Sequence, residues 1–164
     1  MANFYQILVE KNITFIKSPG GYVLAGYIGN TGYDECIIDL CGSSVTRLPE
    51  KLIIYGTLVL QGCDISELPC GMKVHGSLDL RDTLIKMLPN DLQVGGSLFA
   101  ANSCLQELPR GFSVGGTLDL ENTPIRHLPD EMYVGGDLNI RSTGISRLPD
   151  GVFVGGKVLL DRPK

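Results

Sequence analysis

Cysteine and histidine are two residue types in this chain that could supply a nucleophile, a base or a metal ligand. The closest such pair is Cys70 and His75, five residues apart, and the second histidine is His127. A nucleophile and its base need a shared concavity that holds them within hydrogen-bond distance. None of these residues lies in a segment that predicts a concavity. We therefore expect both histidines at the surface, no catalytic residue and no enzymatic activity.

The cysteines are odd in number and have no metal-ligand spacing. Cys36 and Cys41 lie close together, whereas Cys63, Cys70 and Cys104 are scattered along the chain. We expect reduced structural thiols, no metal site and no cofactor. Paired glycines also occur, but they precede predicted strands rather than helices, so they do not form a phosphate-binding loop.

The chain contains an internal repeat of twenty residues, and this repeat determines the secondary-structure elements that position these side chains. Aligned on one aliphatic column, the repeat runs without insertion or deletion from Ile38 to Val158. We number the positions of one coil from 1 to 20. Full units then begin at residues 35, 55, 75, 95, 115 and 135, and a truncated seventh unit begins at residue 155. Repetition at this period predicts a solenoid, in which each coil stacks on its neighbour.

The apolar columns of the repeat predict the interior of the solenoid. Positions 4 and 6 are aliphatic on either side of a variable position 5, which is the period-two alternation of a strand. Positions 11, 14, 18 and 20 are also apolar, and each position-14 leucine precedes a proline, which ends regular pairing. Glycine at position 2 permits a sharp bend into the next strand. Small polar or thiol residues at position 9 are expected to satisfy the backbone of the following turn.

The first 34 residues do not follow the repeat and are predicted to form a cap. Apolar residues at helical spacing follow Asn3, which suits an N-cap, so we expect a short helix ending near Asn12. Two apolar runs separated by Ser-Pro-Gly-Gly predict a β-hairpin after the helix. The chain is thus divided into a cap at 1–34 and a solenoid at 35–164, and the cap is expected to cover the first repeat strand at 36–40.

The repeated pattern LxLxxTxIxxLPxxLxV resembles the leucine-rich repeat over residues 35–160. Its short Leu-Pro unit is most similar to the twenty-residue repeats of effectors from bacteria with type III secretion and of related bacterial or phage proteins. The resemblance implies a mainly β, right-handed leucine-rich-repeat solenoid of six coils plus a partial seventh. It also implies a bacterial or phage factor that engages a host protein and is delivered into, or expressed in, a host cell.

Composition restricts the classes of partner. The chain has 164 residues, 43% of them hydrophobic, so it can bury a long aliphatic core but no deep pocket. A net charge of −4 disfavours direct binding to nucleic-acid phosphate. No segment approaches the length of a membrane span, and the N-terminus lacks the pattern of a signal peptide. We expect a cytoplasmic protein with a protein partner, no direct nucleic-acid binding and no membrane partner.

Positions 3, 5 and 7 point outward along the strand face, which is the predicted partner-binding surface, because solenoids use this face to recognise proteins. Phe99 is expected to be an exposed aromatic with apolar neighbours and a charged rim, which is the composition of an interface hot spot. The predicted binding residues are Asp39, Val59, Asp79, Arg81, Phe99, Ala101, Asp119, Glu121, Asn139 and Arg141.

The same face also fits an acidic nucleic-acid mimic that inhibits a DNA- or RNA-binding protein. Asp39, Asp79 and Asp119 recur on alternate coils. Two strand spacings separate them by ~10 Å, which coarsely matches a ladder of phosphates. The mimic and the protein-binding module differ in class, because the mimic depends on charge and the module depends on an apolar anchor.

A third function is structural self-assembly, and it follows from the truncated last unit. That unit has no positions 11 to 20, so the last side chains of positions 11 and 14 are expected to lack a covering coil. Val152, Val158 and Leu160 are then expected to form a homodimer contact at the C-terminal end. In the competing arrangement the short tail folds back and Phe153 shields this end within one chain.

Overall fold

In the computed structural model of the protein, residues 3–11, 13–21, 23–25 and 37–161 are described. The chain forms a parallel β-solenoid of about six turns, each about twenty residues long. Strands of successive turns pair in parallel with a constant offset of twenty residues, as Leu78 does with Leu98. The mainly β solenoid predicted from the repeat is confirmed, and its right-handedness stays a prediction.

The described chain contains one helix and fifteen short strands. Helix α1 spans Phe4–Glu10. The strands are β1 (Phe15–Lys17), β2 (Val23–Ala25), β3 (Ile37–Asp39), β4 (Leu52–Ile54), β5 (Thr57–Val59), β6 (Lys73–Val74), β7 (Leu78–Asp79), β8 (Gln93–Val94), β9 (Leu98–Phe99), β10 (Ser113–Val114), β11 (Leu118–Asp119), β12 (Tyr133–Val134), β13 (Leu138–Asn139), β14 (Phe153–Val154) and β15 (Val158–Leu159). Helix α1 is too short to cross a membrane, and the described chain has no other helix.

The strands form two sheets. The front sheet contains β3, β5, β7, β9, β11, β13 and β15 in that order, and the back sheet contains β1, β2, β4, β6, β8, β10, β12 and β14. The front strands occupy the start of each coil, as the alternation around position 5 predicts. The repeat pattern does not lead us to predict strands on the back of the coil. Positions 18 and 20 are nevertheless apolar on either side of a variable position 19, which is the alternation of a strand.

The interior between the sheets is aliphatic, as the columns predict. In the first six coils every position-4 side chain is fully buried, and every position-6 side chain is at most 1% exposed. Side chains at position 9 form hydrogen bonds with the backbone of the turn that follows the front strand. The hydroxyl of Thr83 donates to the carbonyl of Leu80 at 2.7 Å, and Thr123 donates to Leu120 at 2.8 Å. The expected role of position 9 is thereby confirmed.

Glycine at position 2 is required because successive coils approach closely. A Cβ on Gly96 would lie 2.8 Å from the backbone carbonyl carbon of Gly76, a distance that real Cβ atoms do not tolerate. Gly56 is the one position-2 glycine with a positive φ, at 148°, whereas position 8 has a positive φ in every full coil, for example 57° at Asp82 and 59° at Asn102. The position-2 glycine therefore serves backbone stacking, and the left-handed turn is made by the Gly, Asp, Asn or Ser of position 8.

Helix α1 begins with a capping box, of which the sequence predicts only the N-cap residue Asn3. The Asn3 side chain accepts a hydrogen bond from the Gln6 backbone at 3.0 Å, and the Gln6 side chain accepts one from Asn3 at 2.8 Å. Phe4, Ile7 and Leu8 are buried in the same hydrophobic core as the coils. The predicted short helix is confirmed, and it is part of the solenoid core.

The predicted hairpin is also present, but it extends the back sheet. Strands β1 and β2 pair antiparallel, and β2 then pairs in parallel with β4. The hairpin does not pair with the first front strand, because among the described strands β3 pairs only with β5, and the expected cover of that strand by residues 1–34 stays a prediction. Cys36 and the second half of the predicted strand YVLAGYI lie outside the described residues.

Candidate protein-binding surface

We define the front surface as positions 5, 7 and 8 of the first six coils, which follow the outward side of the front sheet and its turns. The strand register places Phe99 between Asp79 and Asp119 of the neighbouring strands. Adjacent strands lie ~4.8 Å apart, so an aromatic ring stands between two carboxylates at the centre of the sheet. This arrangement is the one the twenty-residue register predicts.

Phe99 is half-buried, whereas the sequence predicts an exposed aromatic. The guanidinium carbon of Arg81 lies 6.0 Å from the ring centre, at the outer limit of a cation–π contact. Ala101, which is expected beside the ring, is only 9% exposed. The apolar part of the front surface is therefore small, and it consists mainly of the Phe99 ring and the half-buried side chain of Val59.

Asp79 is 5% exposed and is held by its own neighbour Arg81. The Arg81 Nε donates to both carboxylate oxygens, at 2.9 and 3.0 Å, and the Arg81 backbone N–H donates at 3.1 Å. The hydrogen bond to Asp79 raises the pKa of Arg81 above its ordinary value, and the charges of Asp79, Asp82 and Asp119 act in the same direction against desolvation. Asp79 is the middle one of the three carboxylates that a nucleic-acid mimic would use, and it is thus paired within the chain.

A second polar network lies on the other side of Phe99. Asn139, which is 6% exposed, donates its amide hydrogens to Asp119 and Glu121, both at 2.9 Å. Arg141 pairs with Glu121 at 2.9 Å and also donates to the Asn139 side-chain oxygen at 3.0 Å. The Arg141 and Glu121 side chains are 45% and 38% exposed, so solvent screens the pair and it adds only ~0–1 kcal/mol to stability.

The predicted binding residues share one surface but differ in exposure. Asp79, Ala101 and Asn139 are buried and form the layer beneath the contact surface. The side chains that a partner can reach are Asp39, Val59, Arg81, Phe99, Asp119, Glu121 and Arg141.

Position 8 adds residues to this surface that the prediction omits. Asp82 is exposed and accepts a hydrogen bond from the Gln61 side chain at 3.1 Å. Asn122 donates to Asn102 at 2.8 Å, which continues the polar edge across two coils. The signal for them was the Gly, Asp, Asn or Ser column at position 8, whose left-handed backbone turns these side chains to the rim of the sheet.

The back sheet carries its own exposed aromatics. Tyr133 and Phe153, 48% and 55% exposed, stack with ring centres 5.1 Å apart. His75 stacks on Tyr55 at 5.0 Å. His75 and His127 are both exposed, as predicted. In residues 3–11, 13–21, 23–25 and 37–161, no group of three or more His, Cys, Asp or Glu is arranged to hold a metal ion.

The C-terminal end of the described chain exposes apolar side chains. Leu160 is 38% exposed, and Val152 and Val158 are half-buried. Phe153 points outward on the back sheet, so it does not shield this end as the competing arrangement requires. Ile145 is only 8% exposed, so the position-11 column stays covered even without a further coil in this chain.

Comparison of the chain with protein-family models, with curated proteins and with solved structures gives no significant match. A solenoid supports many unrelated functions, so the fold alone assigns none. Function is therefore argued from the chemistry of the front surface.

Proposed function

We propose that the protein is a protein–protein interaction module that binds a protein partner through the front surface. The observation that supports this is the setting of Phe99, a half-buried ring between two hydrogen-bonded polar networks. An aromatic anchor inside a polar rim is the composition of protein-binding hot spots. Asp79 and Asn139 are buried and hold the rim side chains in place. Binding a partner therefore costs less side-chain entropy than it would on a surface of mobile side chains.

The proposal extends to the kind of protein. The Leu-Pro repeat resembles leucine-rich repeats of bacterial and phage factors, and the solenoid of about twenty residues per turn is compatible with such a repeat. We propose a bacterial or phage factor that engages a host protein in the cytoplasm.

The nucleic-acid mimic is a second candidate, because the front surface has more carboxylates than cations. The mimic requires a ladder of free carboxylates at Asp39, Asp79 and Asp119. That ladder is weakened, because Asp79 is buried and paired with Arg81. A mimic predicts binding that falls steeply with salt and is competed by DNA or RNA. Replacement of Asp119 by lysine would abolish binding by a mimic, whereas an apolar anchor would lose less.

The front surface is tested by capturing the partner from cytosolic lysate, purifying it and measuring its affinity for variants. We expect Phe99→Ala to weaken binding by ~2 kcal/mol or more, which is roughly a 30-fold rise in Kd. The matched control is Phe153→Ala, which removes an exposed aromatic from the back sheet and is expected to leave Kd unchanged. A partner that is insensitive to Phe99→Ala but sensitive to Phe153→Ala would move the site to the back sheet.

A further inference from the structure

We infer, on the basis of the proposed function, that the front surface receives a basic segment of the partner protein, whose positive side chains lie against Asp39, Asp82 and Asp119. The proposed function requires only a protein partner. The chemistry of that partner follows from where the chain keeps its charge and how much of that charge is already paired.

Most of the net charge of the chain lies on the front surface. This surface holds five carboxylates and two guanidinium groups, an excess of three negative charges. The whole chain has a net charge of −4, so acidic and basic side chains elsewhere nearly balance. A surface of one sign steers partners of the opposite sign toward it and disfavours the others.

Both guanidinium groups of the front surface are already used by the chain itself. Arg81 is paired with Asp79, and Arg141 is paired with Glu121. These two ion pairs account for two of the five carboxylates. The remaining three, Asp39, Asp82 and Asp119, have no cation within 4.0 Å in the part of the chain that the structure covers.

The three remaining carboxylates are oriented by neutral donors, which leave their charge intact. A backbone N–H donates to Asp39 at 2.9 Å, the Gln61 side chain donates to Asp82 at 3.1 Å, and the Asn139 amide donates to Asp119 at 2.9 Å. Such hydrogen bonds fix the direction of a carboxylate without neutralising it. A lysine or arginine of a partner can therefore make a charge-assisted hydrogen bond to an ordered acceptor.

The spacing of these carboxylates indicates the shape of the segment. They lie on the first, third and fifth coils, so each step along the stack is ~10 Å, and Asp82 is displaced toward the turn because it occupies position 8 rather than position 5. Basic residues seven apart on a helix lie on one face, and they have the same separation of ~10 Å. Phe99 lies on the fourth coil, between Asp82 and Asp119, where an apolar side chain of the segment would be placed.

The inference is tested with a synthetic helical peptide in which arginines occur at every seventh position and one leucine lies between the last two. Its counterpart has glutamine in place of each arginine. We expect the arginine peptide to bind the intact protein at least ~10-fold more tightly in titration calorimetry, because ~1.4 kcal/mol is one tenfold step. The triple variant Asp39→Asn, Asp82→Asn, Asp119→Asn is expected to lose at least ~10-fold of that affinity.

A charge-matched control separates a specific surface from general attraction. Glu50→Gln, Asp130→Asn and Asp150→Asn remove the same charge from exposed side chains at position 16. This control is expected to keep the affinity within about twofold of the parent, since distant exposed charges are screened. Equal losses in both triple variants, or tighter binding of single-stranded DNA than of the arginine peptide, would overturn the inference.

Two further outcomes separate this inference from the proposed function. If the captured partner depends on Phe99 but binds the front triple variant normally, the basic segment is wrong and the protein-binding surface stands. If the partner depends on neither change, both fail. Self-association that disappears in the front triple variant would identify a second copy of this chain as the occupant and would also overturn the inference.

Discussion

Gly96 shows how closely the coils of the solenoid approach each other. Its N–H donates to the carbonyl of Gly76 at 2.8 Å, and a Cβ would meet backbone and the Ser77 hydroxyl oxygen at 2.8 to 2.9 Å. We predict that Gly96→Ala lowers the free energy of unfolding by ~1–3 kcal/mol, because backbone cannot move aside as a flexible side chain can. Urea denaturation followed by circular dichroism measures this loss.

The control for this prediction is Gly62→Asn. Gly62 has a φ of 66° with no heavy atom within 4 Å of an added Cβ, and Asn102 and Asn122 adopt the same conformation two and three coils away. We expect a change of less than ~1 kcal/mol, since asparagine tolerates the left-handed region. Equal stability of Gly96→Ala and the parent would show that the coils can separate at position 2.

Which residues face inward could be predicted from the sequence, but how exposed the outward residues are could not. The columns at positions 4, 6 and 11 follow from period and apolarity alone. The low exposure of Asp79 depends on Arg81, whose side chain folds back on its own strand and leaves its guanidinium carbon 6.0 Å from the Phe99 ring centre. This rotamer is set mainly by the hydrogen bonds to Asp79 in the same coil, and the pattern of apolar columns contains no information about it.

At the scale of elements, helix α1 stabilises the first coils. Leu8 is fully buried in the core of the solenoid, while its neighbour Val9 is 68% exposed. We predict that Leu8→Ala lowers the free energy of unfolding by ~2–5 kcal/mol through lost burial and a cavity. Val9→Ala on the same helix is expected to stay within ~0.5 kcal/mol, and thermal or urea unfolding compares them. If both substitutions changed the free energy of unfolding by similarly small amounts, the helix would not belong to the cooperative core.

The back sheet explains why the elements could be predicted only in part. Its strands are two or three residues long, so the alternation of positions 18 and 20 spans too few residues to distinguish a strand from a loop. The hairpin is predicted by its turn, but its place beside β4 depends on pairing between residues such as Val23 and Leu52, far apart in sequence. Local patterns identify a strand, and long-range pairing decides which sheet it joins.

At the scale of the molecule, the two ends of the stack differ. Beside the first coils, helix α1 and the hairpin bury apolar surface. At the other end, β14 and β15 are the outermost strands of their sheets, and no described strand pairs with their outer edges. Unpaired edges beside partly exposed Val158 and Leu160 favour association with another chain.

We predict that a protein of this sequence forms a two-fold dimer through Val152, Val158 and Leu160, because an isologous contact closes and buries the edges of both sheets. Burying one such side chain contributes roughly 1.5–3 kcal/mol, so several together support association at micromolar concentration. Sedimentation velocity is expected to show a dimer for the parent chain and a monomer for Leu160→Asp. Leu84→Asp, which changes a 49% exposed leucine elsewhere on the solenoid, is expected to remain dimeric. A monomeric parent, or a Leu160→Asp variant that sediments like the parent, would rule out this contact.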